Sequence, residues 1–202
     1  MPPKKVATTK SLTSGAHSSM SDESLIQAMN DGEYQAFDAL YLRYRKWVVG
    51  VAYRLTRDQE SAEDVLQETF LYFFNKFPGF ELICRLKSFL YPVVRSFSLN
   101  IQRRQAKTEA GLDPDALTEV CEPKDSPDFA MEDLDYALAD LPQKQREILL
   151  LRFVDDFSLE EISQSLDLPL STVKTRLYST LKALRRNKRL HQLFPGKSRE
   201  YT

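Results

Sequence analysis

Apolar residues recur at helical spacing along most of the chain, and strand-like alternation is nearly absent. That period predicts an all-α protein. Ser21 or Asp22 starts a helix through Leu25 and Met29. After Gly32 a longer helix carries Phe37, Leu40, Tyr41, Tyr44, Val48, Val51 and Leu55, and Thr56-Arg57-Asp58 breaks it. Ser61 to Phe77 forms the next helix, and Phe77-Pro78-Gly79-Phe80 is a strong turn. The last helix of this unit runs from about Leu86 to Arg104. A bend is expected at Pro92, since an interior proline removes a donor and clashes with the preceding turn.

The stretch from Leu141 to Leu184 reads as a helix, a break, a short helix, a tight turn and a second helix. Ser158 followed three residues later by Glu161 is a capping box that starts the short helix. Leu159, Ile162 and Leu166 follow at helical spacing, Asp167-Leu168-Pro169 interrupts them, and Ser171 or Thr172 is placed to cap the next helix. At about 100° per residue, Val173, Leu177, Leu181 and Leu184 share one side of that helix. Ser171, Thr175, Tyr178, Ser179 and Lys182 share the other, flanked by Lys174 and Arg176. This is the layout of a helix-turn-helix, whose second helix lies in a DNA major groove. A helical bundle with a solvated basic face is the bland alternative.

Charge distribution favours the DNA reading. From Ser171 to Leu190 there are seven Lys/Arg and no acid, whereas Glu132 to Leu170 carries ten Asp/Glu against three Lys/Arg. Arg85 to Lys107 has six Lys/Arg and no acid, and Thr108 to Asp133 has nine Asp/Glu and one Lys. The net charge of −1 hides two basic surfaces joined by an acidic connector. The fold class is therefore all-α: two small helical domains joined by an acidic flexible linker, the second containing a helix-turn-helix. The boundaries are a basic tail at 1–20, a first domain at 21–105, a linker at 106–131, a second domain at 132–190 and a tail at 191–202.

Two faces of the first domain invite function. In the helix from Ser61, Ala62, Val65, Leu66, Thr69, Phe70 and Phe73 form an apolar core stripe. Asp64, Gln67, Glu68 and Leu71 share the opposite face, with Phe74 at its edge. An apolar residue ringed by polar and acidic ones has the composition of a protein–protein hot spot, although single exposed leucines are common. From Phe77 to Arg104, aromatics alternate with cations: Phe77, Phe80, Arg85, Lys87, Phe89, Tyr91, Arg95, Phe97, Arg103 and Arg104. Rings beside cations suit unstacked bases and their phosphates, while for any single ring a place in the core is the competing reading.

These pieces, in this order, resemble the sigma-70 family of bacterial transcription initiation factors, specifically the extracytoplasmic-function (ECF) group. The resemblance covers Ser21 to Leu190 apart from the linker. SAEDVLQETFLYFFNKF at Ser61–Phe77 and FLYPVVRSFSLNIQRR at Phe89–Arg104 are similar to the hallmark segments of the family's region 2. LPQKQREILLLRF, FSLEEISQSL and STVKTRL are similar to its region 4. The resemblance implies that Asp64, Gln67, Glu68, Phe70 and Leu71 dock on the clamp coiled coil of the RNA polymerase β′ subunit, with the β flap as a further core contact. It implies that Phe77, Phe80, Arg85, Lys87, Arg95, Arg103 and Arg104 open and read the promoter −10 element. Ser171, Thr172, Lys174, Thr175, Arg176, Tyr178, Ser179 and Lys182 would contact the −35 element. Family members are often restrained by an anti-sigma factor, which makes one a candidate partner. Departures include Phe89 where tryptophan is frequent, Ser96 for asparagine, Pro92 for a basic residue, and Asp167 and Ser171 for glycines.

Other classes fit less well. The two cysteines and two histidines lack metal-ligand spacing, no Glu-x-x-His pair exists, and no convergent nucleophile with an acid/base partner is evident. No metal, cofactor or enzymatic activity is expected. A helix-turn-helix regulator of the response-regulator type would need a parallel β/α receiver domain, where this chain offers helices. A polymerase-binding adaptor without sigma activity is the remaining alternative. With no long apolar run and no signal-peptide core, no membrane contact and a cytoplasmic location are expected.

Overall fold

The computed structural model of the chain describes His17, residues 19–110, Leu138 and residues 141–186. Among these residues there are seven α-helices and no strand, in two compact units within 1–119 and 120–202. The expected tail at 191–202 and all of the expected linker beyond residue 110 lie outside the described residues.

The first unit contains α1 (Asp22–Asn30), α2 (Gln35–Thr56), α3 (Gln59–Phe74) and α4 (Leu86–Ala110). Ser21 caps α1 by accepting from the Ser24 N–H at 3.2 Å, and Asp22 and Glu23 suit the positive end of the helix dipole. Gly32, at φ +93°, takes a turn conformation that a Cβ would oppose. Arg57, left-handed at φ +58°, ends α2 with its N–H on Tyr53 O. Asp58 then accepts from the Ser61 N–H at 2.8 Å, which together with the Ser61 side chain holds its carboxyl below the ordinary range. That cap starts α3 at Gln59, before the Ser61 expected from the sequence. The helix also stops at Phe74 rather than Phe77, because Asn75 caps it and Pro78 cannot extend it. Pro92 sits inside a single helix, and α4 continues past Arg104 to Ala110, so residues 106–110 of the expected linker are helical. Gln102 and Gln105 hold its second half, donating to Leu55 O at 2.5 Å and Ser61 Oγ at 3.0 Å.

Leu25, Met29, Leu40, Val48, Val65, Phe73, Leu86, Leu90 and Val94 are buried where the four helices meet. Burying one such side chain contributes roughly 1.5–3 kcal/mol relative to leaving it exposed. The loop between α3 and α4 is shaped from two sides. Phe77 meets Phe73 edge-on, and Phe80 meets Phe73 edge-on and Phe89 at a tilt, in a cluster with ring centroids 4.8–5.9 Å apart. Asn30, at the end of α1, accepts from the Gly79 and Phe80 N–H groups at 2.7 and 3.2 Å. Its amide donates to Phe80 O at 2.9 Å.

The second unit contains α5 (Gln143–Phe153), α6 (Leu159–Ser165) and α7 (Leu170–Arg186). Ile148, Leu151, Phe157, Ile162, Val173 and Leu177 are buried, and Leu181 and Leu184 pack on a cluster of Leu138, Leu149 and Leu150. The capping box is formed on both sides: the Glu161 N–H donates to Ser158 Oγ at 3.0 Å, and the Ser158 N–H to Glu161 Oε2 at 2.8 Å. Asp167, left-handed at φ +51°, makes the turn into α7, and the Ser163 hydroxyl donates to Leu168 O at 2.5 Å. Aspartate tolerates this region better than most side chains, which is how it replaces the frequent glycine. Neither Ser171 nor Thr172 caps α7. The helix begins at Leu170, and Pro169 O accepts from the Thr172 and Val173 N–H groups at 2.9 and 3.1 Å.

Two stability effects follow from this geometry. Ser158→Ala removes one half of the capping box and should lower stability by about 1 kcal/mol, read as a lower urea midpoint with an unchanged slope. Asn30→Ala removes the acceptor shared by the Gly79 and Phe80 amides, and should cost about 1 kcal/mol, since water can reach these groups. Faster amide hydrogen exchange should then concentrate in residues 77–85, whereas a rate unchanged there would refute the clamp.

Candidate functional site

The buried stripe of α3 sets which way its other face points. Ala62, Val65, Phe70 and Phe73 face the core, so Asp64, Gln67, Glu68 and Leu71 emerge together on the outside, Leu71 at 57% exposure. Phe74, 37% exposed, lies beside them and meets Phe37 edge-on at 5.2 Å and Tyr34 at 6.0 Å. Phe70 does not share this face. It is 3% exposed and wedged against Phe37 and Tyr41 at 5.9 and 4.9 Å, so the docking contact expected of it is corrected to a supporting one. The face is acidic and polar around an apolar centre, a composition that repels phosphate and suits a protein partner.

The second surface is the loop and start of α4. Arg85, Arg103 and Arg104 are exposed, and Lys87 and Arg95 are half-buried. Phe77 and Phe80 are half-buried in the ring cluster, and this revises the expectation that Phe80 stands ready to hold a base. Its ring is committed to Phe73 and Phe89. The apolar residue that this loop leaves most open is Ile83, 92% exposed. Sequence reasoning passed over Ile83 because it lies outside the alternation of rings and cations.

Beside the loop, Asp22 binds α1 to α2. Its carboxylate accepts from the Tyr44 hydroxyl and, at 2.5 Å, from Arg43, which also donates to Met20 O at 2.7 Å. Burial and the Asp22 carboxylate push the Tyr44 hydroxyl far above the ordinary phenol range, against the opposing pull of Arg43 and Arg85. Tyr44 therefore stays a donor. Asp22, Tyr44, Arg85 and Lys87 line a cavity of about 260 Å³ at this corner.

In the second unit α7 divides as the helical wheel requires. Val173, Leu177 and Thr180 are buried, while Ser171, Lys174, Thr175, Tyr178, Ser179 and Lys182 are exposed, Tyr178 at 62%. Thr172 and Arg176 lie half-buried at the margins. Ser171, Thr172, Thr175 and Arg176 line a shallow notch of about 280 Å³ at the start of the helix. The Thr175 hydroxyl donates to Ser171 O at 2.8 Å and the Ser179 hydroxyl to Arg176 O at 2.9 Å. With its proton engaged, Thr175 offers a DNA edge an acceptor and a methyl group. Among the described residues no group of three or more His, Cys, Asp or Glu could hold a metal ion, and no helix is long and apolar enough to cross a membrane.

Comparison with known proteins agrees with this arrangement. Residues 40–108 match the family model for sigma-70 region 2, and residues 131–184 the model for sigma-70 region 4. The ECF RNA polymerase sigma factor SigW of Bacillus subtilis is 25% identical over 178 residues, covering 81% of this chain and 95% of SigW. The ECF RNA polymerase sigma-E factor of Escherichia coli is 24% identical over 180 residues, covering 82% and 93%. Among solved structures, the sigma factor RpoE bound to the anti-sigma factor NepR, from Bartonella quintana, superposes with a TM-score of 0.57 at 22% identity, covering 80% of this chain and 98% of that one. CnrH in complex with the cytosolic domain of CnrY gives 0.59 at 19%, covering 81% and 94%. Both domain matches fall in family order, on the two helical units described above, and the chain belongs to the sigma-70 family of RNA polymerase sigma factors, in its ECF group.

Proposed function

We propose that this chain directs promoter-specific transcription initiation, with its exposed faces divided between polymerase and DNA. The observation that carries the reading is the opposite chemistry of two helix faces. The outer face of α3 is acidic and polar with Leu71 at its centre, whereas the outer face of α7 bears Lys174 and Lys182 and no acid. Asp64, Gln67, Glu68 and Leu71 hold core RNA polymerase at the β′ clamp coiled coil. Arg85, Lys87, Arg95, Arg103 and Arg104 carry the phosphates of the −10 element, and the loop that exposes Ile83 enters the opened strands. The start of α7 reads −35 bases through Lys174 and Thr175, and Lys182 grips phosphate further along. An anti-sigma factor is a further proposed partner, in keeping with the complex in which RpoE was solved.

Leu71→Ala should lower core-polymerase affinity by about 1–2 kcal/mol, as for a moderate hot spot, and leave the fold unchanged. Adding Glu68→Ala should deepen the loss. Full affinity in the double variant, titrated against purified core enzyme, would contradict the assignment of this face. Promoter opening by the reconstituted holoenzyme then separates a sigma factor from a polymerase-binding adaptor.

On a promoter mapped from induced transcription starts, Lys174→Ala should cost about 1–3 kcal/mol against the native −35 sequence and less against a scrambled one. Lys182→Ala should weaken both by similar amounts and reduce the salt dependence by about one unit of slope. Equal losses on both sequences for Lys174→Ala and Thr175→Ala would reduce α7 to a phosphate clamp.

A further inference from the structure

The charge pattern of α2 has no counterpart in the surfaces assigned so far. From Ala39 to Thr56 the helix carries four Lys/Arg and no acid, and Arg57 ends it. At about 100° per residue these cations do not form one face. Arg45 points to the opposite side, while Arg43 and Arg54 share a flank with Trp47 and Gly50, with Lys46 at its edge. Trp47 is the only tryptophan in the chain, and it is half-buried on this flank. The Lys87 ammonium at the start of α4 lies 5.6 Å from the centre of its ring, so the flank is continuous with the basic start of α4.

Gly50 is the unexpected member. An interior helical glycine weakens a helix relative to alanine, and proteins usually keep one where a neighbour approaches too closely for a Cβ. A Cβ built at Gly50 meets no atom within 4 Å. Its backbone is not in the left-handed region either, unlike Gly32 and Gly79. Nothing within the described protein requires the missing side chain. Something that approaches from outside would require it.

We propose that the α2 flank formed by Trp47, Gly50 and Arg54, together with Lys87, is a DNA-binding track, on which a strand passes close over Gly50 and an unpaired base stacks on Trp47. The inference rests on the reading that the start of α4 faces opened DNA, and it extends that surface onto a second helix. Its chemistry is that of single-strand binding: cations for the backbone, an aromatic ring for a base, and the one carboxylate beside the flank, Asp22, already paired with Arg43. Arg43 helps to shape the edge of the track through its contacts with Asp22 and Met20 rather than as a ligand.

The glycine supplies a test in which loss of fold cannot mimic loss of binding. Gly50→Leu should raise the melting temperature of the full chain, since leucine is a stronger helix former and a Cβ at this position meets no atom within 4 Å. The same variant, as holoenzyme with core polymerase, should bind a fluorescent mixed-sequence 20-nucleotide single strand about five- to tenfold more weakly. Trp47→Phe, which keeps a stacking ring, should retain most of the affinity, and Trp47→Ala should lose about five- to tenfold. Arg45→Gln, off the flank, serves as the control for bulk charge and should change affinity less than Arg54→Gln. Wild-type affinity in both Gly50→Leu and Trp47→Ala would overturn the track, as would equal effects of Arg45→Gln and Arg54→Gln. An Arg103→Ala, Arg104→Ala double variant separates the two levels of the argument. If it weakens binding while the α2 variants do not, the α4 surface stands and the α2 track falls. If it too leaves binding unchanged, the reading of α4 on which the track rests falls with it.

Discussion

The first unit depends on one ring. Phe73, fully buried at the inner side of α3, touches Phe37 of α2, Phe77 and Phe80 of the loop and Phe89 of α4, at centroid distances from 5.3 to 6.4 Å. Aromatic pairs of this kind contribute about 0.5–1.5 kcal/mol each beyond the area they bury, and their mix of edge-on, tilted and stacked geometry orients the ring as well as placing it. A helix whose inner face is locked in this way cannot turn about its axis. Asp64, Gln67, Glu68 and Leu71 are consequently displayed outward as a set. The same ring draws the loop inward, so that the polar and apolar residues after Phe80 are the ones left to meet a partner.

The second unit reaches its geometry by other means. Its core is mostly aliphatic around the buried ring of Phe157, and the turn from α6 into α7 is made by capping and one left-handed aspartate. The capping box fixes the start of α6, Asp167 turns the chain, and Pro169 O receives the first donors of α7. Buried Val173 and Leu177 then orient the helix, and the side chains between them have nowhere to point but outward. A recognition surface built in this way is stiff where it must match a groove and replaceable where it must read a sequence.

The two faces share a logic of opposite signs. A protein that must hold both a large protein and a polyanion benefits from surfaces that reject the wrong partner. On the proposed division, carboxylates on α3 would disfavour phosphate there, and the cations on α7 and along α2 and α4 would draw it elsewhere. With the acidic connector included the whole chain sums to −1, which is why the overall balance carries no information about DNA while its distribution does.

Much of this was readable from the chain alone, and the reason is periodicity. Helices α3 and α7 each bury one stripe, so residues at three- and four-residue spacing had to share a fate, and the outward faces followed by subtraction. The capping box at Ser158 was visible because its two partners are three residues apart. Tertiary structure decided whatever depends on contacts distant in sequence. Asn30 clamps Phe80 across 50 residues, and no local pattern marks an asparagine at a helix end as a partner for a loop that far away. Phe77 and Phe80 read as candidate base-holding rings because aromatics beside cations look alike whether they face solvent or a core. Only the arrival of Phe73 and Phe89 made them half-buried. Phe70 was assigned to both faces of α3, and packing against Phe37 and Tyr41 placed it inside. Local rules settle which residues travel together on a helix, because backbone geometry repeats. Which face is covered, and by what, is settled by the other helices, because burial belongs to the assembled set and not to any one segment.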